Sequence, residues 1–155
     1  MEKRVKIVLE IVAVPIIGFI LLNLAFLLDA LFQGLINLIF GLFIDINPDM
    51  TLYWYPPTKH LLFLILIGLI SYFVFKSKLK DICKATYLFV PLAAVYVTIG
   101  IFLNNIQILV YILSTLFFLA TLYYLYKKKL SWIYYYSLIL ISLLMLIVAL
   151  TRVEI

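Results

Sequence analysis

Runs of about twenty apolar residues, separated by short basic or polar connections, constrain this chain more than any other feature. Crossing the hydrocarbon of a bilayer as a helix takes about 20 such residues. Five stretches qualify, at 7–28, 57–75, 85–103, 106–126 and 130–150. With no water in lipid to hydrogen-bond exposed backbone, each stretch must satisfy its own N–H and C=O groups, which selects the helix. The expected fold is all-α, a polytopic integral membrane helical bundle. It has five transmembrane helices plus an outer amphipathic or re-entrant segment, forming a single domain over 1–155.

Composition excludes the soluble alternatives. The chain is 68% hydrophobic and 12% charged, whereas soluble domains are near half apolar and a quarter charged. A net charge of +5 in a soluble protein would suggest nucleic acid as a partner. Here ten of the twelve basic residues form three clusters, Lys3/Arg4/Lys6, Lys76/Lys78/Lys80/Lys84 and Lys127/Lys128/Lys129. Lys and Arg are retained on the cytoplasmic side of membrane proteins, beside anionic headgroups. No nucleic-acid partner is expected. The orientation read from this is N-terminus cytoplasmic and C-terminus extracytoplasmic, most simply in a prokaryotic plasma membrane. The first basic cluster followed by an apolar run resembles a signal peptide, but the run continues to residue 28 with no small-x-small site after it. It is read as a retained first helix.

The segment between the first two spans carries a second apolar stretch, at 30–44. If it crossed, four lysines from 76 to 84 would lie outside, and about 15 residues is short for a span, so it is expected not to cross. Asp29, Gln33, Asn37, Gly41 and Asp45 recur every four residues. At 100° per residue each step drifts by about 40°, giving a slowly winding polar seam on a helix. Three arrangements follow. The segment lies in the outer interface with its seam toward water, folds back as a lid with its seam toward the bundle, or continues the first helix. In the lid arrangement Asn23, Asp29, Gln33, Asn37 and Tyr53 line an outward-facing pocket for a lipid or small molecule. Asn23 is expected to be the most buried polar group of the first helix.

Groups able to carry chemistry are few. His60 is the one histidine, and Asp45, Asp49, Lys59 and Arg152 would share the outer surface with it. Together they are the candidates for an enzyme acting on a lipid-linked substrate, with His60 and a carboxylate as an acid–base pair. One histidine and one cysteine leave no spacing for a zinc site, and no metal or cofactor is expected. Cys83 lies at the inner ends of the helices, across the membrane from His60, and a lone cysteine excludes an intramolecular disulfide. Pro15 and Pro91 fall inside spans, and each removes one helical hydrogen bond and introduces a kink. The small size and absence of a catalytic constellation lead to a non-enzymatic subunit or accessory module of a membrane assembly. Its expected partners are membrane lipids and either another membrane protein or a second copy of the chain.

Overall fold

The computed structural model describes residues 2–42, 55–103 and 105–151. Among the described residues the chain forms six helices: α1 (Glu2–Gly41), α2 (Tyr55–Lys76), α3 (Asp81–Tyr87), α4 (Phe89–Leu103), α5 (Gln107–Lys127) and α6 (Trp132–Thr151). Counting α3 and α4 as one stretch, Asp81–Leu103, five helices are long and apolar enough to cross a membrane. The protein is a multi-pass helical bundle.

The α3–α4 break follows from Pro91. Its ring strikes the carbonyl four residues back, that of Tyr87, and it has no N–H to offer there. The helix is interrupted at Leu88, whose φ of −55° and ψ of −24° stay right-handed. Its N–H still donates to the Lys84 carbonyl at 3.0 Å, so the two pieces act as one kinked span. Pro15 leaves the Ile11 carbonyl without its helical donor, and α1 continues through it unbroken. The hydroxyl of Tyr136 on α6 donates to that carbonyl at 3.1 Å, the repair that lets membrane helices tolerate proline.

Segment 30–44 is not a separate element. α1 runs for 40 residues without interruption to Gly41, so the structure adopts the continuation of the first helix rather than an interfacial helix or a folded-back lid. Residues 43 and 44 lie outside the described residues. The physical reason is the lack of a stop signal: between 29 and 40 there is no proline and one glycine, Gly34, and a single glycine costs a helix only about 1 kcal/mol.

α4 is the hub, packing against α1, α2, α5 and α6. Its buried Phe89, Leu92, Ala93 and Tyr96 join Val14 and Leu22 of α1 with Leu138 and Ile141 of α6 in the main core. Gly18 permits the closest α1–α4 approach, because a Cβ there would stand 3.0 Å from three ring carbons of Phe89. α5 is peripheral, with Leu125 its one buried residue.

Contacts bring the three basic clusters to one end of the bundle. Lys84 donates to the Phe75 carbonyl at 2.9 Å, meeting an orphan acceptor at the C-terminus of α2. Tyr134, at the start of α6, reaches Asp81 at the start of α3 at 3.5 Å, while Lys6 stands 3.9 Å from Glu10 one turn further into α1. The turn joining α5 to α6 places Lys129 at φ 50°, and the Leu130 N–H closes onto the Leu125 carbonyl at 3.2 Å, a Schellman closure that ordinarily takes glycine.

Two substitutions test this packing by thermal unfolding in detergent. Gly18→Val is expected to destabilise by roughly 1–3 kcal/mol by overpacking against Phe89. Lys129→Gly is expected to stabilise by about 1 kcal/mol by relieving the left-handed backbone.

Candidate functional site

The polar seam of α1 faces α2. Asn37 Oδ1 accepts from the Tyr55 hydroxyl at 2.8 Å and from Lys59 Nζ at 3.1 Å. The same ammonium lies 4.6 Å above the Tyr55 ring, and Phe40 meets that ring edge-on at 5.6 Å. Deeper in, Gln33 Nε2 donates to Asp29 Oδ2 at 2.8 Å, one helical turn apart. The 40° drift of a four-residue repeat keeps all three polar side chains on one side of α1, and α2 supplies the partners of Asn37.

At the inner end of this seam sits a cavity of about 30 Å³ bounded by α1, α2 and α4. Asp29 and His60 are its polar lining, with Leu22, Ala25, Phe26, Phe63, Val90, Ala93, Ala94 and Val97 as apolar walls. His60 is 5% exposed. Asp29 Oδ1 and His60 Nε2 are both buried without a hydrogen-bond partner in the protein. A buried polar atom left unsatisfied costs about 1–3 kcal/mol, so two on one small cavity mark a site rather than a packing accident.

A second, larger feature lies at the same end of the bundle. A cleft of about 890 Å³ opens between the C-terminal half of α4, the N-terminal half of α5 and the C-terminal half of α6. Val97, Ile101, Val110, Phe118, Leu143 and Leu146 are among its apolar lining, and Gln107, Tyr111, Ser114 and Thr115 bring polar groups from one face of α5. Tyr96 and Ser142 also line it, their hydroxyls hydrogen-bonded 2.8 Å apart. Gly100 also lines the cleft, and a Cβ there would meet nothing within 4 Å.

The sequence-derived candidates therefore separate. Asp29, Gln33 and Asn37 do share one face, and that face lies against α2, with Asn37 still exposed at its outer edge. Asn23 is exposed rather than the most buried polar group of the helix, and its amide donates to its own Phe19 carbonyl at 2.7 Å. Its turn of α1 presents it away from α4, whose contact goes through Leu22. Lys59 is engaged by Asn37, and the carboxylate that shares a cavity with His60 is Asp29. Tyr53, Asp45, Asp49 and Arg152 lie outside the described residues. Cys83 is exposed and sits with the basic clusters at the opposite end. Among the described residues no group of three His, Cys, Asp or Glu side chains could hold a metal.

Two features escaped the sequence reading. Asp29 and His60 are 31 positions apart on different helices, and only the antiparallel docking of α1 on α2 brings them together. The cleft draws its polar groups from scattered single residues of three apolar helices, a pattern that no local sequence spacing marks. Comparison with known protein families, characterised proteins and solved structures finds no match to this chain.

The seam itself is open to test. Asn37→Leu removes the acceptor shared by Tyr55 and Lys59. It is expected to raise amide hydrogen exchange over residues 33–41 several-fold, consistent with losing about 1 kcal/mol of hydrogen bonding. Unchanged exchange would mean that apolar contacts alone hold this end of α1.

Proposed function

We propose that this protein is a non-enzymatic membrane assembly module, inserted with its basic end cytoplasmic, and that α1 is the helix through which it associates with a second copy of itself. The carrying observation is a leucine seam. Leu24, Leu28, Leu31, Leu35, Leu38 and Leu42 alternate steps of four and three residues, the heptad spacing of a coiled-coil a/d stripe. Their exposures are 55%, 39%, 65%, 55%, 72% and 82%. At 100° per residue this stripe lies about 180° from the Asp29/Gln33/Asn37 seam. The face of α1 that docks on α2 and the leucine face are therefore opposite.

Exposed leucine inside the hydrocarbon needs no partner, since lipid tails are as apolar as leucine. Length changes that argument. A helix of 40 residues extends about 60 Å, against hydrocarbon about 30 Å thick. Even at a tilt of 40°, the upper end of the observed range, about 14 residues remain outside. The basic start of α1 accounts for some of these, and the stretch bearing Leu35, Leu38 and Leu42 accounts for the rest. There the seam meets headgroups and water, and burying it is favourable at about 25 cal/mol per Å².

Copies inserted in one orientation present this seam in parallel, and a repeat of leucine on leucine is complementary to itself. No charged side chain lies on the stripe. Its exposed area is on the order of 600 Å² per chain, so a pair buries about 1,200 Å², the lower edge of a standard interface.

The test is oxidative cross-linking in native membranes with Cys83→Ser as background. Leu38→Cys is expected to give a disulfide-linked species of twice the monomer mass, while Gly34→Cys, off the stripe, gives little. Equal cross-linking at both positions, or none at either, contradicts self-association through this face. A cross-link to a different protein would make the partner a heterologous subunit.

The cleft favours a second reading, binding of a lipid-like molecule. Its volume lies within the 300–1,000 Å³ typical of ligand sites, and its lining is mainly apolar with a few polar groups. An amphipathic guest would place its apolar body between α5 and α6 and a hydrogen-bonding group near Tyr96 and Ser142. Gly100→Trp fills the cleft, and Gly68→Trp is the control, because a Cβ at Gly68 also meets nothing within 4 Å and that residue is not part of the lining. Native mass spectrometry is expected to show bound lipid in the wild type and in Gly68→Trp and its loss in Gly100→Trp. Equal lipid in all three contradicts the reading.

A further inference from the structure

The cavity at the inner end of the polar seam lies on the side of α1 opposite the leucine stripe, so the inference drawn from it does not depend on the assembly reading. We propose that Asp29 and His60 hold a single water molecule between them, which bridges the carboxylate and the imidazole.

Three observations converge on this. The cavity, about 30 Å³, exceeds the 10–15 Å³ that one water needs, and a buried water needs at least two polar partners. Its two polar lining residues, Asp29 and His60, each carry one buried atom without a protein partner, Oδ1 and Nε2. Finally, His60 is 5% exposed and lines the cavity. An apolar void of this size would stay dry, but these two atoms give a guest both a strong acceptor and a ring nitrogen that donates or accepts according to its tautomer.

A sodium ion fits the site less well. One oxygen and one ring nitrogen are a poor set for a hard cation that prefers several oxygen ligands. Water needs no more than the two atoms present. The second carboxylate oxygen is already occupied by Gln33 at 2.8 Å, which leaves Oδ1 as the carboxylate oxygen without a protein partner.

The charged surroundings are sparse. α1 contributes Asp29 and the neutral Gln33. α2 contributes His60, while Lys59 beside it is held by Asn37 at 3.1 Å and by the Tyr55 ring. α4 lines the cavity with Val90, Ala93, Ala94 and Val97 and adds no titratable group. The charged residues of α3, Asp81 and Lys84, lie with the basic clusters at the other end.

The chain has one histidine, so ¹⁵N-histidine labelling gives a single imidazole reporter in the full-length protein in lipid nanodiscs. Magnetisation transfer from water to the His60 ring is expected in the wild type and in Asp29→Asn, which still offers an oxygen to the guest. It is expected to be lost in Asp29→Leu, and also in Ala93→Val, which narrows the cavity while keeping both polar groups. The backbone amide spectrum separates loss of the site from loss of the fold. A dry ring in the wild type, or transfer undiminished in both Asp29→Leu and Ala93→Val, overturns the proposal. Replacing sodium with choline is expected to change nothing, and a ring signal that depends on sodium would make the occupant a cation and overturn the assignment of water.

Discussion

Sixty ångströms of unbroken helix cannot be contained in about thirty ångströms of hydrocarbon, and the arrangement of this protein follows from that mismatch. α1 extends over Glu2–Gly41, roughly twice the length of a minimal span. Its N-terminal half is fixed by the core, through Val14, the Gly18–Phe89 contact and the Tyr136 hydroxyl on Ile11. Its C-terminal part leaves the main core and would stand as an isolated apolar rod. Docking on α2 stabilises that part, and the docking uses polar groups because it occurs near the end of the bundle, where water and headgroups compete with any contact.

α1 therefore divides its surface. One side carries Asp29, Gln33 and Asn37 against α2, and the other carries a heptad of leucines away from the bundle. The polar side is satisfied in a graded way. Asn37, nearest the helix end, accepts from two donors. Gln33 bonds Asp29. The innermost atoms, Asp29 Oδ1 and His60 Nε2, have no protein partner, which is where a small guest has most to offer. The cleft among α4, α5 and α6 is separate in origin. It exists because α5 makes few buried contacts in that half, Leu125 being near its other end.

Much of this was legible in the sequence. Each of the five apolar runs lies in a helix long and apolar enough to cross a membrane, with ends displaced by up to about five residues, except at 28, where nothing stops α1 and the helix goes on to Gly41. The Pro91 kink followed from the missing N–H. The polar seam was visible as a repeat, yet its direction was not, since periodicity says which residues share a face and nothing of what that face meets. His60 was singled out, but its carboxylate was sought nearby at Asp45 and Asp49, whereas the structure supplies Asp29 from another helix. Contacts of that kind depend on how two helices register, and apolar spans with weak one-sidedness encode register poorly.

The continuity of α1 is the claim on which the polar seam, the leucine stripe and the water site all rest. Spin labels at Leu9 and Ile39, 64% and 47% exposed, measure it directly by pulsed electron spin resonance on a Cys83→Ser background. Labelled protein would be diluted with unlabelled protein in nanodiscs so that distances between copies drop out. Thirty residues of continuous helix place the two backbone positions about 45 Å apart, and a single narrow distribution near that value is the expected result. A distribution centred well below 35 Å would mean that the chain folds back beyond residue 28, and the seam, the stripe and the water site would all fall with the long helix.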